Sequence, residues 1–335
     1  MRPLAGVRRV RVVRATSGAQ LLAAIVTSII CAAVVPGASQ APAARSAPAR
    51  SAAASTAPAF DSNQAWEHLR RQVSFGPRPA GSAALAEARR YILDQLKAAG
   101  VEAREQPFDA TTPLGPVKMA NVIGTIPGAS RQRIALASHF DTKLFRGFRF
   151  VGASDGASST AVVLELARVL KARHNAYTIE LLLFDGEEAF CQDWAECLNG
   201  KDHTYGSRYY VEAARKSGTL GNLKALILLD MVGDRNLNFR REAKSTRWLT
   251  DIIWATAAKL GHGANFLREE TPIEDDHVAF LDAGVAAVDL IDLDYAAWHT
   301  PNDTLDAVSA RSLQIVGDVV LASLPQIERR LAQGK

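Results

Sequence analysis

From about Phe60 onward the chain alternates short apolar runs with segments whose apolar residues recur every three to four positions. The runs Val117 to Ile126, Arg133 to Ser138, Thr178 to Phe184, Leu223 to Leu229 and Ala286 to Ile291 are short and rich in Ile, Leu and Val. That is the pattern of strands buried on both faces. Helical spacing covers Ala83 to Ala99, Ser158 to Lys171, Gly206 to Lys216, Arg247 to Leu260 and Ala310 to Leu331. Strands alternating with such helices predict an α/β fold, a three-layer sandwich with a mostly parallel central sheet flanked by helices. Sites in such folds form beyond the carboxyl ends of the strands. No internal repeat or second linker interrupts the pattern, so residues 60–335 are expected to form a single domain.

The first sixty residues read differently. Arg2, Arg8, Arg9, Arg11 and Arg14 precede an apolar run from Ala19 to Val35, followed by the small-residue stretch Pro36-Gly37-Ala38-Ser39-Gln40-Ala41. Residues 1–41 are therefore expected to be a signal peptide or, the run being close to the shortest that spans a bilayer, an uncleaved N-terminal anchor. Residues 42–59, an Ala, Pro and Ser-rich stretch, cannot bury a core and are expected to be a flexible linker. The expected location is exported, periplasmic or secreted, with the N-terminal segment as the one candidate membrane anchor.

This division changes the meaning of the charge. The chain carries 39 basic and 35 acidic residues, but seven of the arginines and none of the acids fall in the first 50. The remainder is net acidic, which argues against nucleic-acid binding. Of three cysteines, Cys31 lies in the leader, leaving Cys191 and Cys197 as either a short disulfide-closed loop or two free thiols. If bonded, a loop this small would chiefly shape its own segment. With few charged clusters and no heptad pattern, a monomer is expected.

The candidate chemistry sits where the apolar runs stop. Arg133 to Ser138 gives way to His139-Phe140-Asp141, Thr178 to Phe184 to Asp185-Gly186-Glu187-Glu188, and Leu223 to Leu229 to Asp230; Trp298-His299-Thr300 follows the last run. Asp155 lies in the glycine-flanked segment Gly152-Ala153-Ser154-Asp155-Gly156. Singly, each has an ordinary reading: a hydrogen-bonded structural histidine, a helix-capping aspartate, a solvated turn. Jointly, two histidines and several carboxylates on one rim match the nitrogen and oxygen ligands of a catalytic Zn²⁺ with three protein ligands and an open position. In the adjacent glutamate pair, one carboxylate can bind the metal while its neighbour moves protons. His68, His174, His203 and His262 lie away from these strand ends and receive no role.

The series His139-Phe140-Asp141, Asp155, Glu187-Glu188, Asp230, His299 resembles the zinc aminopeptidase superfamily and, within it, the glutaminyl-peptide cyclotransferases (glutaminyl cyclases). The likeness spans about residues 62 to 320. It is carried by Phe75-Gly76-Pro77-Arg78-Pro79-Ala80-Gly81-Ser82, Ser138 to Lys143, Phe184 to Phe190, Tyr205-Gly206-Ser207-Arg208, Glu274-Asp275-Asp276-His277 and Trp298-His299-Thr300. The most discriminating are Asp185 to Phe190, Glu274 to His277 and the Trp before His299.

The resemblance implies a zinc aminopeptidase-like fold, one Zn²⁺ per chain and conversion of N-terminal glutamine of peptides or proteins to pyroglutamate with release of ammonia. It implies Asp155, Glu188 and His299 as metal ligands, Glu187 as general base and acid, Asp230 and Asp275 as a hydrogen-bonded carboxyl pair, and Trp298 and Trp194 as substrate-binding walls. Two departures stand out. Where animal members carry a disulfide near the active site this chain has Ser138 and Thr160, and the stretch from Cys191 through Thr204 is longer here. His139, with Asp155 and Asp230, would complete a second metal site, so an exported two-zinc aminopeptidase is the alternative. A non-catalytic receptor-like domain is the third reading.

Overall fold

The computed structural model describes residues 58–334, so the leader and nearly all of the expected linker lie outside the described residues. Helices α1 (Ser62–Ser74) and α2 (Ala83–Ala98) open the fold. Asp61 caps α1 through the Asn63 amide at 2.9 Å, and Ser82 caps α2 through the Leu85 amide at 3.1 Å. Strands β1 (Glu102–Thr112), β2 (Gly115–Ile126) and β3 (Ser130–His139) follow, then α3 (Ser159–Lys171), β4 (Tyr177–Phe184) and α4 (Tyr205–Lys216). The chain continues through β5 (Leu223–Asp230), β6 (Phe239–Glu242), α5 (Arg247–Lys259), β7 (Phe266–Thr271), α6 (Asp276–Asp282), β8 (Ala286–Ile291) and α7 (Ala310–Ala332).

The main sheet has the order β1-β2-β4-β3-β5-β8. Strands β4, β3, β5 and β8 are mutually parallel, while β2 joins antiparallel to β4 and β1 antiparallel to β2. Side chains alternate between two cores, as a period of two requires. Ile134 and Leu136, Ile179 to Leu183 at odd positions, Ile227 and Leu229, and Val288 and Leu290 face the layer of α1, α2, α3, α5 and α7. Ala135 and Ala137, Leu182 and Phe184, Leu226 and Leu228, and Ala287 face α4 and α6. This is the expected three-layer α/β sandwich. Among the described residues no helix is long and apolar enough to cross a membrane.

The five expected strands and five expected helices are all present, and the chain adds three strands and two helices to them. Strand β1 escapes the hydrophobic pattern because it is the exposed edge: Glu102, Arg104, Glu105 and Pro107 occupy positions that face solvent or need no partner. β6 and β7 form a separate two-stranded parallel pair, too short for periodicity to mark. The helix expected from Ser158 is entered through a wide turn, Ala153–Ser158, and Asp155 does not cap it. The parallel strands all end on one side, at His139, Phe184, Asp230 and Ile291, and the polar residues after them share one rim.

Candidate metal centre and its cavity

Each side chain on the rim is aimed by a buried backbone device. Asp155 sits in the wide turn between Gly152 and Gly156, both at positive φ (53° and 84°). A Cβ on Gly156 would lie 2.6 Å from the Asp141 carbonyl oxygen and 3.1 Å from the His139 ring, so only glycine lets the turn pack there. Asp303 holds the turn from behind, accepting the Ser154 amide at 2.7 Å and the Asp155 amide at 3.2 Å, and it is itself bonded by the Tyr295 hydroxyl at 2.6 Å. The glutamate pair is set by Asp141, whose two oxygens accept the Glu187 and Glu188 amides at 3.1 and 3.3 Å. His299 adopts φ 53°, an uncommon conformation for a non-glycine residue, with its ring between the edges of Phe145 and Phe150 and stacked on Trp298 at 4.6 Å.

The result is a convergence of three ligand types. His299 Nε2 lies 3.3 Å from Asp155 Oδ2 and 3.4 Å from Glu188 Oε1. The three ligand atoms lie within 4.8 Å of one another. Both carboxylates are buried, and together they push the His299 imidazole up to about 10 against the effect of burial. Burial and the neighbouring Asp155 charge raise Glu188. Two desolvated carboxylates gathered on one imidazole nitrogen are a site for a cation, and two oxygens plus one nitrogen are a donor set that Zn²⁺ accepts. The residues fit the metal.

The other oxygen of Asp155 turns the opposite way. Oδ1 lies 3.3 Å from His139 Nε2, which also lies 3.0 Å from Asp230 Oδ1, and these three form a second cluster of ligand type. His139 is fully buried; burial disfavours its charge, but Asp230 and Glu187 raise it well above the ordinary imidazole range. Burial would likewise raise Asp155, yet the hydrogen bonds of His139 and His299 hold it below the usual carboxylate range. Glu187, with Oε2 3.7 Å from His139 Nδ1, is raised by burial and partly offset by that histidine. Asp275 caps α6 through the Asp276 amide and is raised by burial and by the charge of Asp230. Its free oxygen, His277 Nδ1 and both oxygens of Asp289 have no hydrogen-bond partner, and the three residues offer ligand-type atoms within 4.8 Å.

All eight residues expected at the site line one cavity of about 380 Å³: Asp155, Glu187, Glu188, Trp194, Asp230, Asp275, Trp298 and His299. His139 lies beneath it and does not line it. Ile291 and Leu293 also line it, and sequence reasoning missed Met231 and Ile273, apolar lining residues that look like any core position. It also passed over His203, which stacks on Trp194 with ring centroids 4.0 Å apart. Cys191 and Cys197 are bonded, which settles the alternative left open for them.

Residues 121–324 match the model of peptidase family M28. The glutaminyl-peptide cyclotransferase-like protein of Mus musculus is 34% identical over 277 residues, covering 73% of this chain and 70% of that protein. Among solved structures, a glutaminyl cyclase from an Acidobacteriales bacterium superposes with a TM-score of 0.77 at 37% identity, covering 86% of this chain and all of that one. A leucine aminopeptidase precursor from Bacteroides thetaiotaomicron superposes with a TM-score of 0.75 at 29% identity, covering 80% of this chain and 98% of that one.

Proposed function

The chain belongs to peptidase family M28 and, within it, to the glutaminyl-peptide cyclotransferases, and we propose that its cavity closes N-terminal glutamine of peptides or proteins into pyroglutamate with release of ammonia. Asp155, Glu188 and His299 would hold one zinc ion. When bound, the zinc supplies Lewis-acid polarisation of the glutamine side-chain carbonyl. The observation that carries the reading is the division of the glutamate pair: Glu188 faces His299, while Glu187 lines the same cavity with its carboxylate on the His139 side.

Glu187 takes a proton from the substrate α-amine as it attacks and returns one to the departing ammonia. Burial favours its protonated form, which suits a carboxyl that must return a proton as well as take one. Asp230 and Asp275 line the cavity beside the leaving amide, and burial together with the neighbouring Asp230 charge favours a protonated Asp275. Trp298 and Trp194 hold the substrate between amine and carbonyl. Because amine and carbonyl belong to one residue, holding them in the attacking geometry supplies much of the catalysis. Residues 60–335 would act as one catalytic domain, exported and monomeric; the Cys191–Cys197 bond accords with an oxidising compartment.

The test is ammonia release from Gln-Ala beside amino-acid release from a Leu-linked chromogenic amide, each with zinc and with Glu187→Gln. Ammonia and a pyroglutamyl product, falling by about 10²- to 10⁴-fold in the variant, are expected. Free amino acid from the second substrate and no ammonia from the first would overturn the reading in favour of a two-zinc aminopeptidase, for which the His139, Asp155 and Asp230 cluster is the supporting observation.

A further inference from the structure

The folded domain takes hold of the chain at Ala59. Arg168 donates to the Ala59 carbonyl at 2.9 Å, Gln314 donates to the Phe60 carbonyl at 3.1 Å, and Glu165 accepts the Asp61 amide at 2.9 Å. Phe60 is buried against Gly317, where the lack of a Cβ makes room for its ring. These contacts seat the start of α1 without drawing on the residues before Ala59. Between the apolar run that ends at Val35 and this anchor, the sequence uses only Ala, Pro, Ser, Gly and Thr, two arginines (Arg45 and Arg50) and one glutamine, Gln40.

That glutamine stands where export would expose it. A signal-peptide cleavage site needs small residues at the first and third positions before the cut bond. Ser39–Gln40 is the first bond beyond the apolar run to meet the requirement, with Ser39 and Gly37 in those positions. The next is Ala41–Pro42, but proline lacks an N–H and has a fixed φ, which suits it poorly to a peptidase that reads extended backbone. A cut before Gln40 makes Gln40-Ala41-Pro42 the new N-terminus. An N-terminal glutamine is the group that the cavity of Glu187, Glu188 and His299 is read above as closing.

We propose that export cuts the chain between Ser39 and Gln40 and that the protein then cyclises its own new terminus, one copy acting on another, so that the exported chain carries pyroglutamate at position 40. The inference rests on the cyclase reading above and names one substrate for it. The α-amine of Gln40 forms a bond to its own side-chain amide carbon, the bond from that carbon to the amide nitrogen breaks, and the proton given up by the amine leaves on that nitrogen as ammonia. No oxidant or co-reactant enters. Gln40 precedes Ala59 by nineteen positions, a length that spans up to about 60 Å at full extension, so the terminus of one copy can enter the cavity of another without the two folded domains meeting. The product has no free α-amine, which closes the terminus to any aminopeptidase that binds that amine.

The experiment exports the full chain and its Glu187→Gln variant from a bacterial host under their own leader, with zinc supplied, and reads each N-terminus by intact mass and by N-terminal sequencing. The wild type should begin at residue 40, lighter by one ammonia and blocked to sequencing. The variant should begin with open Gln40 and should lose that ammonia at least about 10²-fold faster once wild-type protein is added than when left alone. A terminus at any other residue, or a leader still attached, would overturn the proposal. So would a variant blocked as fully as the wild type, because its ring would have closed without Glu187. Should the variant fail to fold, a synthetic peptide of residues 40–50 takes its place as substrate, and a peptide that keeps its ammonia in the presence of the wild type overturns the proposal equally. Open Gln40 on a wild type that releases ammonia from Gln-Ala would sink this inference alone, whereas no ammonia from Gln-Ala would sink the cyclase reading and the inference with it.

Discussion

The carboxylate of Asp141 accepts the amide of Glu187 on one oxygen, at 3.1 Å, and that of the next residue on the other. One buried side chain therefore fixes the direction of two consecutive carboxylates that must point to different tasks. It touches neither the cavity nor His299, the third of the proposed ligands.

Asp141→Asn keeps one of those two bonds and turns an amide donor toward the other. Zinc affinity, read by competition with a chromogenic chelator, should fall about 10- to 100-fold, as for other groups that orient metal ligands. The variant should keep its far-UV circular dichroism. Unchanged affinity would mean that the backbone of Gly186 to Glu188 holds its course without Asp141.

Metal content separates the two clusters that share Asp155. The purified chain should carry about one zinc. His299→Ala should lose it and His139→Gln should retain it, because His139 lies beneath the cavity and is raised toward its charged form by Asp230 and Glu187. Elemental analysis giving about two zinc ions, with one lost in His139→Gln, would refute the single-metal site.

Acid stability should register Glu242. Burial alone would raise this carboxyl, but His277 Nε2 at 3.0 Å, the amides of Lys244, Ser245 and Ile273, and the Ser245 hydroxyl bring it down to about 2. A depressed carboxylate contributes stability that is present above its unfolded value, near 4.5, and is lost as pH falls toward 2. Glu242→Gln should cost about 3 kcal/mol at pH 6 in urea unfolding, at about 1.4 kcal/mol per unit, with the difference shrinking as pH falls toward 2. A difference independent of pH would show that the carboxylate's charge is not what it contributes.

Arg78 is fully buried, its guanidinium donating to the carbonyls of Gln72, Gly76 and Val151 at 3.3, 3.1 and 2.8 Å. It thus joins the end of α1 to the loop that enters the Asp155 turn. Arg78→Met leaves those carbonyls without their donor and should destabilise the fold by about 2 to 4 kcal/mol in chemical denaturation. Zinc affinity should fall with it. A variant as stable as the wild type would mean that water takes over these bonds.

How much of this was open to reading depended on how each feature is encoded. The sandwich and its core strands were legible because burial on both faces forces continuous apolar runs, such as Thr178 to Phe184, and these need no knowledge of neighbours. Glu187, Glu188 and Asp230 were legible because they follow the ends of such runs, whereas Asp155 was marked by its glycine-flanked segment and Asp275 only by the family resemblance. β1 was not, since an edge strand with Glu102, Arg104 and Pro107 satisfies no hydrophobic period. Nor was His203, whose place behind Trp194 depends on the path of a loop with no periodicity.

By itself the sequence determined the layer architecture, the common rim and the residue types that gather there, because those follow from local burial and from the rule that parallel strands end together. The tertiary structure decided which atoms meet. That Asp155 gives one oxygen to His299 and the other to His139, and that His277 closes on Glu242 across 35 positions, depends on dihedral angles and chain crossings that no spacing along the sequence encodes. Ligand and proton chemistry are set by separations of a few ångströms, and only the packed fold fixes those.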